Sequence, residues 1–119
     1  MNLPDKAPAS LDEHDLVEHL LPVAIQILQN DFHLSGIECY LNNFQGDVFH
    51  LRTSIAPLIE RTGGPGSEAF YRLLYRVDIP EQKVAEVLSA PGYTPISVII
   101  SELLIIRALQ KAYYRLKFT

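Results

Sequence analysis

Glu102 is the residue whose setting in the sequence most suggests chemistry. It stands in the run ISVIISELLII, the sole charge between Pro95 and Arg107. At about 100° per residue it shares a helical strip with Leu109 and Tyr113, so burial is expected. A buried carboxylate must be paired, hydrogen-bonded or protonated. Arg72 and Arg76, in the segment YRLLYR, are its natural partners. A structural ion pair of Glu102 with Arg72 or Arg76 is expected ahead of a catalytic acid, since perturbed carboxylates occur in both settings.

The remaining candidates for chemistry are weaker. His14, His19, His33 and His50 have no metal-site spacing. His14 with Glu18, and Asp15 with His19, are i,i+4 pairs that could each supply two ligands. They fall on a polar face rich in Asp and Glu, where solvated side chains are expected. There is no HExxH, no G-x-S-x-G, no Walker A and no G-x-G-x-x-G. The glycine-rich stretch GGPGSE (63–68) enters a helix and could offer amides to an anion. It lacks the lysine of a phosphate loop, and Glu68 would repel a phosphate, so it reads as a connector. Cys39 reads as a buried structural thiol. No catalytic, cofactor-binding or metal-ligating residue is assigned, no cofactor is expected, and no motif is specific enough to point to a family.

A contact surface is the better candidate. Arg107, Lys111 and Arg115 stand four residues apart, with Lys117 beyond them, and Tyr114 and Phe118 share their side of the last helix. Cations near a helix C-terminus complement its macrodipole, which needs no partner. Exposed aromatics are not needed for that purpose. Arg107, Lys111, Tyr114, Arg115 and Phe118 therefore form the candidate interaction surface.

The elements that must position these residues follow from periodicity. Residues 1–9 read as a flexible arm, and residues 10–119 as one helical domain. Ser10 and Glu13 have capping-box spacing and open a helix over 11–30, with Leu16, Val17, Leu20, Leu21, Val23, Ala24, Ile27 and Leu28 on one face and Pro22 on the other. Ser35 and Glu38 suggest a second box and a short helix through Tyr40, Leu41 and Phe44. The alternation Ile37, Cys39, Leu41 also fits a strand paired with 48–52. Helix is favoured because the surroundings are helical, and residues 35–52 stay open between helix and hairpin. Asp47 caps a helix over 48–61 with Pro57 outside its apolar stripe, and TGGPG ends it. Ser67 caps the next helix, in which Glu68 and Arg72 stand at i,i+4. A short helix follows over 79–89. Thr94 then caps the last helix with Pro95 at its first position. Its first half, 96–106, is apolar nearly all round, the mark of a helix buried all round. Ser97, Ser101, Ala108 and Ala112 form a strip of small residues that lets a neighbouring backbone approach, in this chain or in a second copy. The expected fold is all-α, a compact bundle of about six helices with a long, mostly buried C-terminal helix.

Composition narrows the function. The chain has 119 residues, 48% apolar and 20% charged, with one cysteine and a net charge of −4. That suits one globular domain without a disulfide. No secretory signal or membrane span is read, since the most apolar stretch is too short and holds Glu102 and Arg107. Residues 1–60 hold nine acidic side chains and two basic; residues 61–119 hold eight basic and five acidic. Such a chain can neutralise itself internally or pair head to tail with a copy. The expected function is a non-enzymatic protein–protein interaction or regulatory module, self-associating and cytoplasmic. The alternative is a binder of nucleic acid or anionic membrane through Arg107, Lys111, Arg115 and Lys117, although an acidic total disfavours strong phosphate binding. A small enzyme built on a buried Glu102 ranks last.

Overall fold

The computed structural model describes residues 2–41, 44–90 and 92–119, which fold as five helices without a strand among the described residues. They are α1 (His14–Leu34), α2 (Val48–Arg61), α3 (Glu68–Val77), α4 (Glu81–Ser89) and α5 (Ile96–Lys117). Helix α5 is the axis of the bundle and touches all four others, while α1 also meets α2 and α3. Its Ile100, Leu104, Ile105, Ala108, Leu109, Ala112 and Tyr113 are buried. The small strip is buried too and faces helices of the same chain. Ser101 donates its hydroxyl to the Ser97 carbonyl at 2.6 Å, and Ser97 donates to Glu60 on α2 at 3.0 Å. No helix is long and apolar enough to cross a membrane, among the described residues.

Pro22 and Pro57 both lie on exposed faces inside unbroken helices, where water can satisfy the carbonyl that each ring leaves without a donor. Asp47 caps α2, accepting from the amides of Phe49 and His50 at 3.0 Å each. These bonds, that from His50 first, hold its carboxyl below the usual range. The cap is therefore fully present above the ordinary Asp range and weakens as acid protonates it. Ser67 caps α3 through the Phe70 amide at 3.1 Å. Glu68 does not meet Arg72, whose guanidinium reaches the Ser35 carbonyl at the end of α1 instead.

Two helix starts depart from expectation. Helix α1 begins at His14 because Leu11 first turns into the core. Half of the expected capping box survives: the Glu13 carboxylate accepts from the amides of Ala9 and Ser10, at 2.7 and 3.2 Å. Helix α5 begins at Ile96 with Pro95 in the cap position, and no side chain caps it; Thr94 lies exposed outside.

The largest departure is the missing sixth helix. Ser35 and Gly36 end α1 rather than start a new element. The Gly36 amide donates to His33 and the Ile37 amide to Phe32, at 3.0 and 2.9 Å, around a glycine at φ +83°. This paired closure satisfies the last carbonyls of α1 and favours a residue without Cβ. The chain then runs extended, with Cys39 and Leu41 buried and Glu38 and Tyr40 exposed. The period-two alternation is real, but the partner is α1 and not a strand. His33 Nε2 lies 2.7 Å from the Cys39 carbonyl, and the Leu41 amide donates to the Gln29 side chain. Asn42 and Asn43 lie outside the described residues. Gly36→Ala is expected to cost about 1 kcal/mol, read as a lower urea midpoint at unchanged slope. The added methyl meets nothing closer than Arg72 Nη1 at 3.8 Å, so backbone strain alone must supply the effect.

Candidate functional site

The basic end of α5 is largely engaged within the chain. Arg107 donates to Asp78 at 2.9 Å. Asp78 caps α3 in the left-handed conformation, φ +70°, a site that Asp tolerates better than most residues. One turn on, Lys111 reaches the Asp31 carboxylate of α1 at 3.4 Å and the Arg76 carbonyl of α3 at 3.5 Å. Lys117 donates to the Pro4 carbonyl at 2.8 Å and lies 3.8 Å from the Asp5 carboxylate. Arg115, Tyr114 and Phe118 remain exposed. The Tyr114 and Phe118 rings stack at 6.1 Å, with Phe118 73% exposed. Of the five residues of the expected surface, two are thus structural braces and three form an outward aromatic and basic edge.

Glu102 is neither buried nor paired with Arg72 or Arg76. Its side chain is 38% exposed and accepts from Arg52 of α2 at 2.5 Å. The helical strip was projected correctly, but its cover is uneven. Residues 2–9, expected as a loose arm, lie against α5 at Gln110, Tyr113 and Lys117. Glu102 lies two turns before that cover, beside α2. Solvent and Arg52 meet the needs of its charge, and no desolvated acid results. The clefts between α3 and α4, along α1, and beside residues 38–41 have other residues as their walls; Glu102 lines none of them.

His14, Glu18, Asp15 and His19 stay on the exposed face of α1. Among the described residues, no three of His, Cys, Asp and Glu converge as a metal site would require. The glycine-rich loop uses its amides on itself: Gly63 donates to Glu60, Gly64 to the Thr62 hydroxyl and Ser67 to Gly64. Cys39 is buried, and burial pushes its thiol up to about 11. A disulfide reagent at mildly alkaline pH should therefore label the folded chain slowly and the denatured chain at once. Fast labelling of the folded chain would mean that the segment around Cys39 opens freely.

A groove between α3 and α4 was not anticipated. Leu74, Ile79, Val84, Ala85 and Leu88 line about 490 Å³ of it, with Tyr71, Tyr75 and Glu81 completing its wall. Tyr75 is 86% exposed. Its signal was present in the segment YRLLYR. Phe70, Leu73, Leu74 and Val77 take the buried face of α3, so Tyr71 and Tyr75 must project outward with Arg72 and Arg76. Aromatics on the polar face of an amphipathic helix are enriched where partners dock. Compared with known proteins, the chain matches no protein-family model, no curated protein and no solved structure.

Proposed function

We propose that this chain is a non-enzymatic helical interaction module that self-associates through the α3–α4 face. The supporting observation is the groove itself: an apolar concavity whose floor, Leu74, Ile79 and Val84, is continuous with the core and whose edge carries Tyr71 and Tyr75, 45% and 86% exposed. Tyrosines bring large rigid contact area with a polar tip, which suits a surface that must be soluble alone and dry when covered. The outward edge of Tyr114, Arg115 and Phe118 offers a second contact of the same character. A lone, buried cysteine is compatible with a reducing compartment, and we propose the cytoplasm.

Binding of nucleic acid or an anionic membrane has less support. Arg107, Lys111 and Lys117 face Asp78, Asp31 and Asp5, so phosphate would have to compete with carboxylates already in place.

Light scattering over a concentration series should show a dimer that dissociates on dilution. Tyr75→Ser combined with Leu88→Asp should leave a monomer of unchanged helicity. A strict monomer at every concentration, or a dimer indifferent to both changes, would remove the self-association reading.

A further inference from the structure

Residues 2–9 form no helix or strand, yet they are held as a bound peptide would be. Gln110, Tyr113 and Lys117 stand at i, i+3 and i+7, one stripe of α5. Each donates to a backbone carbonyl of the segment: Gln110 Nε2 to Pro8 at 3.0 Å, the Tyr113 hydroxyl to Pro4 at 2.5 Å, and Lys117 Nζ to Pro4 at 2.8 Å. Lys117 also faces Asp5 and lies over the Tyr113 ring, 5.5 Å from its centroid. Pro8 is buried, and Leu3 and Ala7 pack on the core. Prolines lack an N–H and prefer an extended, carbonyl-out backbone, so a row of side-chain donors over an aromatic ring is the complementary receptor.

We propose that this stripe of α5 is a binding site for an extended, proline-bearing segment of a partner protein, and that the chain's own residues 2–9 occupy it in the resting state. The chemistry selects that ligand class. Two carbonyls must fall at the spacing of Pro4 and Pro8, and a small or aliphatic side chain must precede each proline, while the carboxylate that Asp5 holds 3.8 Å from Lys117 is a solvent-exposed addition. Tyr114, whose ring is 5.1 Å from that of Tyr113, and Phe118, stacked on Tyr114, stay exposed beside the occupied stripe. They offer a longer partner segment contacts beyond those of the strap. Such contacts matter because the strap is tethered: Glu13 pins the amides of Ala9 and Ser10, and a tethered ligand competes at a local concentration on the order of millimolar. This site is independent of the α3–α4 groove and stands or falls without it.

The test uses the full chain and a fluorescent peptide of residues 2–10, NLPDKAPAS. Leu3→Asp with Ala7→Asp should release the strap and leave the stripe intact. Anisotropy should then show the peptide binding the released chain at least about tenfold more tightly than the wild type. Gln110→Ala in the released chain should weaken binding several-fold, as the loss of one hydrogen bond does. Equal affinity for released and wild-type chains, or indifference to Gln110→Ala, overturns the proposal. Circular dichroism checks that the released chain is folded. A second measurement needs no variant: unlabelled peptide at about ten times the millimolar local concentration of the strap should move the amide resonances of Asp5, Lys6 and Ala7 in the wild-type chain toward random-coil positions. Resonances that stay in place at that concentration overturn it as well.

Discussion

Leu104→Ala is expected to lower the unfolding free energy by about 3 kcal/mol and the melting temperature by roughly 10 °C. Leu104 is completely buried at the middle of α5, the helix against which every other helix packs. Removing its isobutyl group loses the transfer free energy of the buried atoms. It also leaves a void that one neighbour cannot close, because the surrounding helices are each fixed by contacts elsewhere. A domain of this size has about 5–15 kcal/mol in total, so this one change removes a substantial share. Leu103→Ala is the control. It is the adjacent residue on the same helix but only partly buried, and its loss should be about half as large. Urea melts followed by circular dichroism decide the matter, with the slope unchanged in both variants. A loss below about 1 kcal/mol at Leu104 would be incompatible with α5 as the central element.

The second large effect belongs to Lys111. Its ammonium joins three helices: Asp31 of α1, the Arg76 carbonyl at the end of α3, and α5 itself. The side chains of Asp31 and Lys111 are 11% and 26% exposed. Lys111→Met keeps most of the side-chain volume and removes the charge, leaving the Asp31 carboxylate nearly dry without its cation. Breaking a fully buried pair costs about 3–5 kcal/mol; partial solvation here reduces the expected loss to about 2 kcal/mol. The double variant Lys111→Met with Asp31→Leu should recover most of that, because the unpaired charge, and not the absence of the bridge, is what destabilises. The same exchange at Lys117, whose partner Asp5 is fully exposed, should change stability far less. Equal losses at the two lysines would mean that α5 is not braced through Asp31.

These expectations depend on features that were unequally legible in the sequence. The buried faces of α1, α2, α3 and α5 follow from apolar spacing alone, and Pro22 and Pro57 could be placed outside because the stripe defines outside. Residues 35–41 misled because their local signals serve a different end. Ser35 and Gly36 close the preceding helix, and the alternation after them is answered by side chains of that same helix. Glu102 misled because a helical projection gives direction but not cover. Whether a strip is roofed depends on chain more than a hundred residues away, as Pro4 over Tyr113 shows. Asp31, at the end of α1, has nothing in its neighbourhood that marks it as a brace. Its partner, eighty positions on, carries no signal of pairing within its own segment. Tyr71 and Tyr75 are legible in the sequence, since Phe70, Leu73, Leu74 and Val77 define the α3 stripe and leave both tyrosines outside it.

The central place of α5 has a consequence for synthesis. Helices α1, α2 and α4 pack mainly on an axis that leaves the ribosome after all of them, while α3 leans more on α1. Until it emerges, the apolar faces of α1 and α2 have little to cover them, and the contacts that will do so are long-range, those of α1 spanning most of the chain. The nascent chain must therefore be held soluble as loosely paired helices and then condense in a single late step. Folding of this chain is a race won at its last helix, and a pause in translation before residue 96 would lengthen the interval in which it can aggregate.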